Sequence, residues 1–159
     1  MSDKMVARWL VETPCAMGLG EKNFEKLASC GWIEHFQPGA FLAREGQEDS
    51  TFFLIHGGSV ALELHDAATG TAMTETLGVG DAIGVSWLIP PHRYHVDVRA
   101  LEPTDVLVFD GARLKELMEE DPDFGFAITR RLLARVYSRL EELRVQRLDL
   151  YQPAEGRRP

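Results

Sequence analysis

The stretch "FQPGAFLAREGQEDSTFFLIHGGSVAL", residues 36–62, decides the fold of this chain. Short apolar runs alternate in it with glycine-containing turns, a pattern typical of antiparallel strands. Glycine suits such turns because it adopts positive φ at little cost. The pair Gly57-Gly58, between two apolar runs, predicts a β-hairpin.

The strand-and-turn pattern covers residues 31–111, and helical periodicity precedes and follows it. A short helix is predicted to end at Asp121-Pro122, and a long helix to run from about residue 123 to 150. We therefore predict an α+β, mainly β, fold. It comprises an N-terminal helical segment (1–30), a β-roll or jelly roll (31–111), C-terminal helices (112–151) and a disordered tail (152–159).

Composition excludes several classes of protein. The 159 residues carry a formal charge of −8, which argues against general nucleic-acid binding. Residues 1–122 hold 9 basic and 20 acidic side chains, whereas residues 123–159 hold 8 and 5. No run resembles a membrane span or a signal peptide, and two cysteines are too few for a disulfide framework. We expect a cytoplasmic protein with no membrane association.

The glycine spacing in residues 36–62 resembles the motif F-x-P-G-x-x-I-x-x-x-G-x-x-x-x-x-x-F-x-I-x-x-G-x-V-x-V. That motif belongs to the cyclic nucleotide-binding domain of Crp/Fnr regulators and kinase regulatory subunits. The matching residues are Phe36, Pro38, Gly39, Gly46, Phe53, Ile55, Gly58 and Val60. "LGVGDAIG", residues 77–84, is similar to the family's L-x-x-G-D-x-F-G. The resemblance implies a β-roll that binds a small ligand, with the long helix as its lid.

The loop "GDAIGVSWLIPPHRYHVDVRA", residues 80–100, departs from the family's phosphate-binding cassette. Val85 stands where the family has a glutamate that accepts the ribose hydroxyl. Counted without gaps, Tyr94 stands where the family has the arginine that pairs with the cyclic phosphate, and Arg93 lies one residue earlier. Valine accepts no hydrogen bond, and tyrosine supplies neither charge nor a bidentate fork. We expect weak binding of ordinary cyclic AMP unless a shifted loop lets Arg93 serve.

The cassette also resembles G-x-S-W-L…P-P-x-R…A, found in short, stand-alone bacterial members of the family. This likeness predicts a site with its own chemistry. Trp87 is expected to stack on a ligand, and Ser86 with nearby backbone N–H groups to donate to an anion. The predicted ligand-binding residues are Gly84, Val85, Ser86, Trp87, Leu88, Arg93, Tyr94 and His95.

The predicted ligand is a cyclic nucleotide or another small, anionic or nucleotide-like molecule, with no cofactor assigned firmly. No metal site is predicted, because His92 and His95 are three apart and point to opposite faces of a strand. No catalytic constellation stands out, so we predict a non-catalytic sensor or regulatory module. Two alternatives remain open: a ligandless protein–protein adaptor, and a Crp/Fnr-type transcriptional regulator that acts through a partner.

The long helix carries apolar residues at the three-and-four spacing of a coiled-coil seam. At roughly 42 Å it exceeds the β-roll, so we expect a homodimer with contacts through this seam. The predicted interface residues are Leu133, Val136, Leu140, Leu143 and Leu150. Its arginines are expected to be solvated, or to pair with Glu141, Glu142 or an acid of a partner. Only nine residues follow Leu150, so no direct DNA binding is expected, and the protein partner is unknown.

Overall fold

The computed structural model describes the backbone of residues 2–151, and their side chains except those of residues 2, 3, 71, 73, 74 and 149–151. The predicted tail, residues 152–159, lies outside the described residues. Eight strands form two four-stranded antiparallel sheets, ordered β1-β8-β3-β6 and β2-β7-β4-β5. The strands are β1 Gly31–Phe36, β2 Phe41–Ala43, β3 Thr51–Gly57, β4 Val60–Asp66, β5 Gly70–Leu77, β6 Ala82–Ile83, β7 Asp97–Ala100 and β8 Thr104–Asp110.

Helices precede and follow the strands along the chain. They are α1 Ser2–Val11, α2 Glu21–Ser29, α3 Gly111–Glu120 and α4 Pro122–Tyr151, with a 3-10 turn at Pro14–Ala16. The predicted α+β fold, with a β-roll between N-terminal helices and a long C-terminal helix, is confirmed. Among residues 2–151, no helix combines the length and apolar character needed to cross a bilayer.

Strand β3 is buried on both of its faces. Phe53 and Ile55 point between the two sheets, whereas Phe52 and Leu54 pack in the cluster formed with the helices. Strand β8 divides residues 106–109 between the same two clusters. Because side chains alternate across a strand, two buried faces require an unbroken apolar run. This explains the apolar runs "FFLI" and "VLVF". In each run, one set of side chains packs between the sheets and the other packs against the helices.

The predicted hairpin at Gly57-Gly58 is wrong. Strand β3 pairs with β8 and β6, whereas β4 pairs with β5 and β7, so these glycines carry the chain from one sheet to the other. Gly58 has φ +81°, and a Cβ there would lie 2.4 Å from the carbonyl oxygen of Pro103. The local turn signal was correct, but β8 already occupies the hydrogen-bonding edge that a hairpin partner would need.

A sharp corner separates α3 from α4 at Asp121. This residue is extended (φ −128°, ψ 92°), the conformation preferred before Pro122. Its carboxylate accepts from the backbone N–H of Phe124 at 3.3 Å and pairs with the ammonium of Lys26 on α2. The interaction with Lys26 holds the pKa of Asp121 below its usual range. The corner sends α4 across the open side of the roll.

Candidate functional site

A cavity of about 310 Å³ lies between the roll and α4. Its wall is mostly apolar, and its charged members come from both sides. The lining residues are Leu62, Glu75, Leu77, Asp81, Ala82 and Val85 from the roll, and Leu132, Arg135, Val136, Arg139, Leu140 and Leu143 from α4. A concave apolar space with a few charged groups is the usual form of a small-molecule site.

Two ion pairs connect α4 to the roll beside this cavity. Arg135 pairs with Asp81, and Arg139 pairs with Glu75. Arg139 also donates to the backbone carbonyl of Thr76 at 3.4 Å. All four charged side chains are between 18% and 29% exposed, so solvent screens these attractions only in part. The Nε of Arg139 is buried and makes no hydrogen bond to the described residues.

Asp81 occupies a fixed position in the turn before β6. Its Oδ2 accepts from the N–H of Gly78 at 2.9 Å, and its backbone carbonyl accepts from the N–H of Ile55 at 3.0 Å. Because the turn is tied to β3 at the backbone, the Asp81 carboxylate is a rigid anchor for Arg135. The link from α4 to the roll therefore ends on a residue that does not need to reorganise.

The cassette loop folds back on a short segment before β3. The N–H of Tyr94 donates to the carbonyl of Gln47 at 3.0 Å, and the N–H of Gly46 donates to the carbonyl of Tyr94 at 2.8 Å. The N–H of Asp49 donates to the carbonyl of His92 at 2.8 Å. The peptide bond between Pro90 and Pro91 is cis. The three backbone hydrogen bonds tie the loop to the segment before β3.

A buried carboxylate, Asp49, lies against the cassette loop, on the segment before β3. It is only 3% exposed, and its Oδ2 accepts from the hydroxyl of Ser86 at 2.6 Å. Its Oδ1 makes no hydrogen bond to any described residue. Gly84 has φ +80°, and a Cβ there would lie 3.0 Å from the hydroxyl of Tyr94 and 3.4 Å from Asp49 Oδ1. A carboxylate and two hydroxyls, those of Ser86 and Tyr94, therefore lie close together where the resemblance implies an anion site.

Tyr94 is a core residue of the roll. It is 6% exposed, and its hydroxyl lies 3.2 Å from the carbonyl oxygen of Thr51 and 3.3 Å from the Thr51 hydroxyl. Burial, together with the nearby charge of Asp49, raises the pKa of the Tyr94 phenol well above its usual value, although its hydrogen bond to Thr51 works the other way. The phenol is therefore a neutral donor at physiological pH.

The structure separates the eight predicted ligand-binding residues, all of which it describes. Val85 alone among them lines the cavity. Trp87 is 5% exposed and packs in the cluster with the helices, its ring centroid 6.5 Å from that of Phe52. Leu88 packs against the same cluster. Burial of the indole leaves no free face for stacking in this conformation, so the stacking role stays a prediction.

Two further candidates of the loop, Arg93 and His95, lie at the surface. Arg93 is exposed and donates to the carbonyl oxygen of Gly46 at 2.7 Å, and it does not line the cavity. His95 is exposed as well. His92 has φ +56°, and its Nδ1 lies 3.1 Å from the carbonyl oxygen of Ser86. Among the described residues, no three His, Cys, Asp or Glu side chains gather into a possible metal site.

Only part of the predicted seam on α4 faces away from the cavity. Val136, Leu140 and Leu143 line the cavity and are also 41–46% exposed, whereas Leu133 is 66% exposed and lies outside the lining. The side chain of Leu150 lies outside the described residues. Contact with a second copy stays a prediction for this surface.

The most informative site residues were missed from sequence. Arg135 and Arg139 were expected to be solvated or to pair with Glu141, Glu142 or a partner's acid. Arg139 does contact Glu142 at 3.1 Å, but both arginines also pair with acids of the roll. Their four-residue spacing places them on one helix face, together with the cavity-lining leucines, and this signal could have revealed them.

Together, this geometry defines a β-roll closed by a helix, with a cavity between the two. A sequence profile of the cyclic nucleotide-binding domain matches residues 33–121, more than half of the chain. The chain belongs to this family, which confirms the resemblance.

Individual relatives agree with this assignment. The chain is 30% identical over 123 residues to the Pycsar effector protein PaPycTIR of Pseudomonas aeruginosa. The aligned region covers 76% of this chain but only 38% of the relative. A cyclic nucleotide-binding domain from Methylobacillus flagellatus KT superposes with a TM-score of 0.78 at 19% identity, over 97% of this chain and 86% of that one. The catabolite activator protein of Thermus thermophilus gives 0.68 at 21% identity, over 87% and 62%. Both structural matches concern the fold alone.

Proposed function

We propose that this chain is a non-catalytic sensor module that binds a small ligand in the cavity between the roll and α4. The single observation that carries the proposal is the cavity itself, which is mostly apolar, about 310 Å³ in volume and roofed by a helix. A helix that is both cavity wall and exposed surface couples ligand binding to what the surface presents. We propose a cytoplasmic setting for this module.

The ligand is a small anionic or nucleotide-like molecule with an apolar part. Val85 supports an apolar part in the ligand, because its side chain lines the cavity. The resemblance assigns this position to the family's ribose-binding glutamate. Without that glutamate, a nucleotide would lose a charged hydrogen bond, worth about 1.5–3 kcal/mol. Ordinary cyclic AMP is therefore a weak ligand. Gly84, Ser86, Arg93, Tyr94 and the other predicted cassette residues contact a ligand only if the loop opens.

Signal output through α4 is the second element of the proposal. The exposed apolar residues of the helix, Leu133 foremost, support a homodimer or an unknown protein partner on this surface. Filling the cavity would reposition α4, because Leu132, Val136 and Leu140 form its roof. The partner would then meet a different surface.

A second candidate function is a ligandless adaptor. It is favoured by the internal contacts of the cassette, in which Ser86 donates to Asp49, Tyr94 bonds to Thr51 and Trp87 packs in the core. Groups that are already engaged within the protein are not directed at a phosphate.

Native mass spectrometry of the purified protein distinguishes these candidates. A sensor retains a small molecule, and Val85→Trp, which places an indole ring in the cavity, eliminates that mass. The matched control is Val79→Trp on an exposed turn residue outside the cavity, which retains it. The same spectra give the subunit number. A bare protein that also shows no saturable binding of nucleotides or other anions by calorimetry contradicts the sensor and supports the adaptor.

A further inference from the structure

The cavity has its own cations, and they are on the lid rather than in the cassette. Arg135 and Arg139 line the cavity from α4 with their guanidinium groups partly buried. Arg93, the cation expected from sequence, lies outside the lining and is engaged by the carbonyl of Gly46. Asp49 makes the cassette unfavourable for an anion, because its buried carboxylate would repel one.

An arriving anion can exchange with a carboxylate that is already present. Asp81 and Glu75 each hold one of the two arginines, and both are partly exposed, so they regain water when released. Exchange of one carboxylate for another anion changes the electrostatic energy little. The affinity then comes from burial of the ligand's apolar part, and the guanidinium groups select for charge. The buried Nε of Arg139, which has no partner among the described residues, is a donor that such a ligand would satisfy.

We infer that Arg135 and Arg139 form an anion site on α4, which takes the carboxylate, phosphate or sulfonate of a ligand whose apolar body fills the cavity. This inference rests on the proposed sensor function. It adds a mechanism: the anion takes the arginines from Asp81 and Glu75, so binding breaks the two ionic ties that hold α4 to the roll. Ligand charge, and not only ligand size, therefore controls the lid.

A pair of fluorescent dyes tests the inference with the full chain. 8-Anilinonaphthalene-1-sulfonate and N-phenyl-1-naphthylamine share the same apolar rings, and only the first carries a negative group. Saturable binding of either dye that Val85→Trp abolishes reports on the cavity. The difference between the two dyes reports on the arginines.

Substitution of the two partners of one ion pair is expected to change the affinity for the sulfonate dye in opposite directions. Arg135→Gln weakens binding of the sulfonate by about tenfold, the loss of one charged hydrogen bond, and leaves the neutral dye unchanged. Asp81→Asn frees the same guanidinium and tightens the sulfonate by about threefold to tenfold. Its amide oxygen still accepts from Gly78. Arg144→Gln, on an exposed arginine paired with Glu141, is the matched control and changes neither dye.

Each remaining outcome has a definite meaning. Equal shifts of both dyes in Arg135→Gln and Asp81→Asn indicate a merely structural role and overturn the inference. A loss of sulfonate binding in Arg93→Gln, with Arg135→Gln unaffected, also overturns it, because the cation is then in the cassette. If neither dye binds in a manner sensitive to Val85→Trp, the proposed function itself fails, and the anion site fails with it.

Discussion

Rebuilding the family's cassette should create strong cyclic AMP binding in this chain. The triple variant Val85→Glu, Tyr94→Arg, Asp49→Asn restores the ribose acceptor and the phosphate cation at the places that the resemblance assigns. The third change is required by the structure, since the buried Asp49 carboxylate would otherwise capture the new guanidinium. Asparagine keeps an acceptor for the Ser86 hydroxyl.

The expected gain follows from the contacts restored. Each charged hydrogen bond contributes about 1.5–3 kcal/mol, so two contribute roughly 3–6 kcal/mol, or about a hundredfold to ten-thousandfold in Kd. The cost of opening the loop is subtracted from this gain, because residue 94 is buried and lies outside the cavity lining. Isothermal titration calorimetry with cyclic AMP measures this against the wild type. The variant Val85→Glu, Tyr94→Arg, which retains Asp49, should recover much less of the gain.

Two results would refute this reasoning. One is a triple variant that folds, as judged by its thermal melt, yet binds cyclic AMP no tighter than the wild type. The other is a wild-type protein that already binds cyclic AMP as tightly as the rebuilt one. Val85→Glu alone protects the test against misfolding, because residue 85 faces the cavity and the single change should still improve affinity about tenfold.

Three further predictions concern stability. Gly58→Ala should lower the free energy of unfolding, measured by urea denaturation, by about 2 kcal/mol or more, because the strain of a positive φ adds to a clash with the backbone. Gly70→Ala is the control: Gly70 also has a positive φ but has open space around it, so this change should cost only about 1 kcal/mol. Leu132→Ala should cost about 2–5 kcal/mol in the same assay, and a cost below about 1 kcal/mol would contradict the described packing of α4. Arg99 holds the pKa of Glu63 below its usual range through their hydrogen bond, so the stability from this pair is present above the ordinary glutamate pKa and is lost as pH falls. Arg99→Gln should therefore flatten the pH dependence of stability between about pH 5 and 3, and an unchanged acid limb would contradict the assignment.

The fold could be predicted because its determinants are local. Positive-φ glycines, short apolar runs and the break at Asp121-Pro122 each act within a few residues. The hairpin at Gly57-Gly58 failed for the opposite reason. Strand β3 pairs with β8, which lies far along the chain, and a local turn signal carries no information about that pairing.

The candidate site was predictable only where the family's spacing fixes a position. Val85 could be placed beside the cavity in this way, whereas the ligand-binding role of Tyr94 stays a prediction. Asp49 meets Ser86 across 37 residues of sequence, and no periodicity signals such a pair. Arg135 was expected to be solvated or to pair with Glu141, Glu142 or an acid of a partner, because arginines on a long helix usually do so. Only the orientation of α4 over the roll brings it beside Asp81.

The length of α4 gives small movements a large effect. Its 30 residues extend roughly 45 Å, and its cavity-lining residues end at Leu143, so the last two turns project past the site. A change of 5° at the Asp121 corner would carry the far end through about 4 Å on this rise per residue. If the proposed ligand moves α4, a displacement smaller than one atom at the cavity would become, at the far end of the helix, a shift large enough to separate a side chain from the proposed partner.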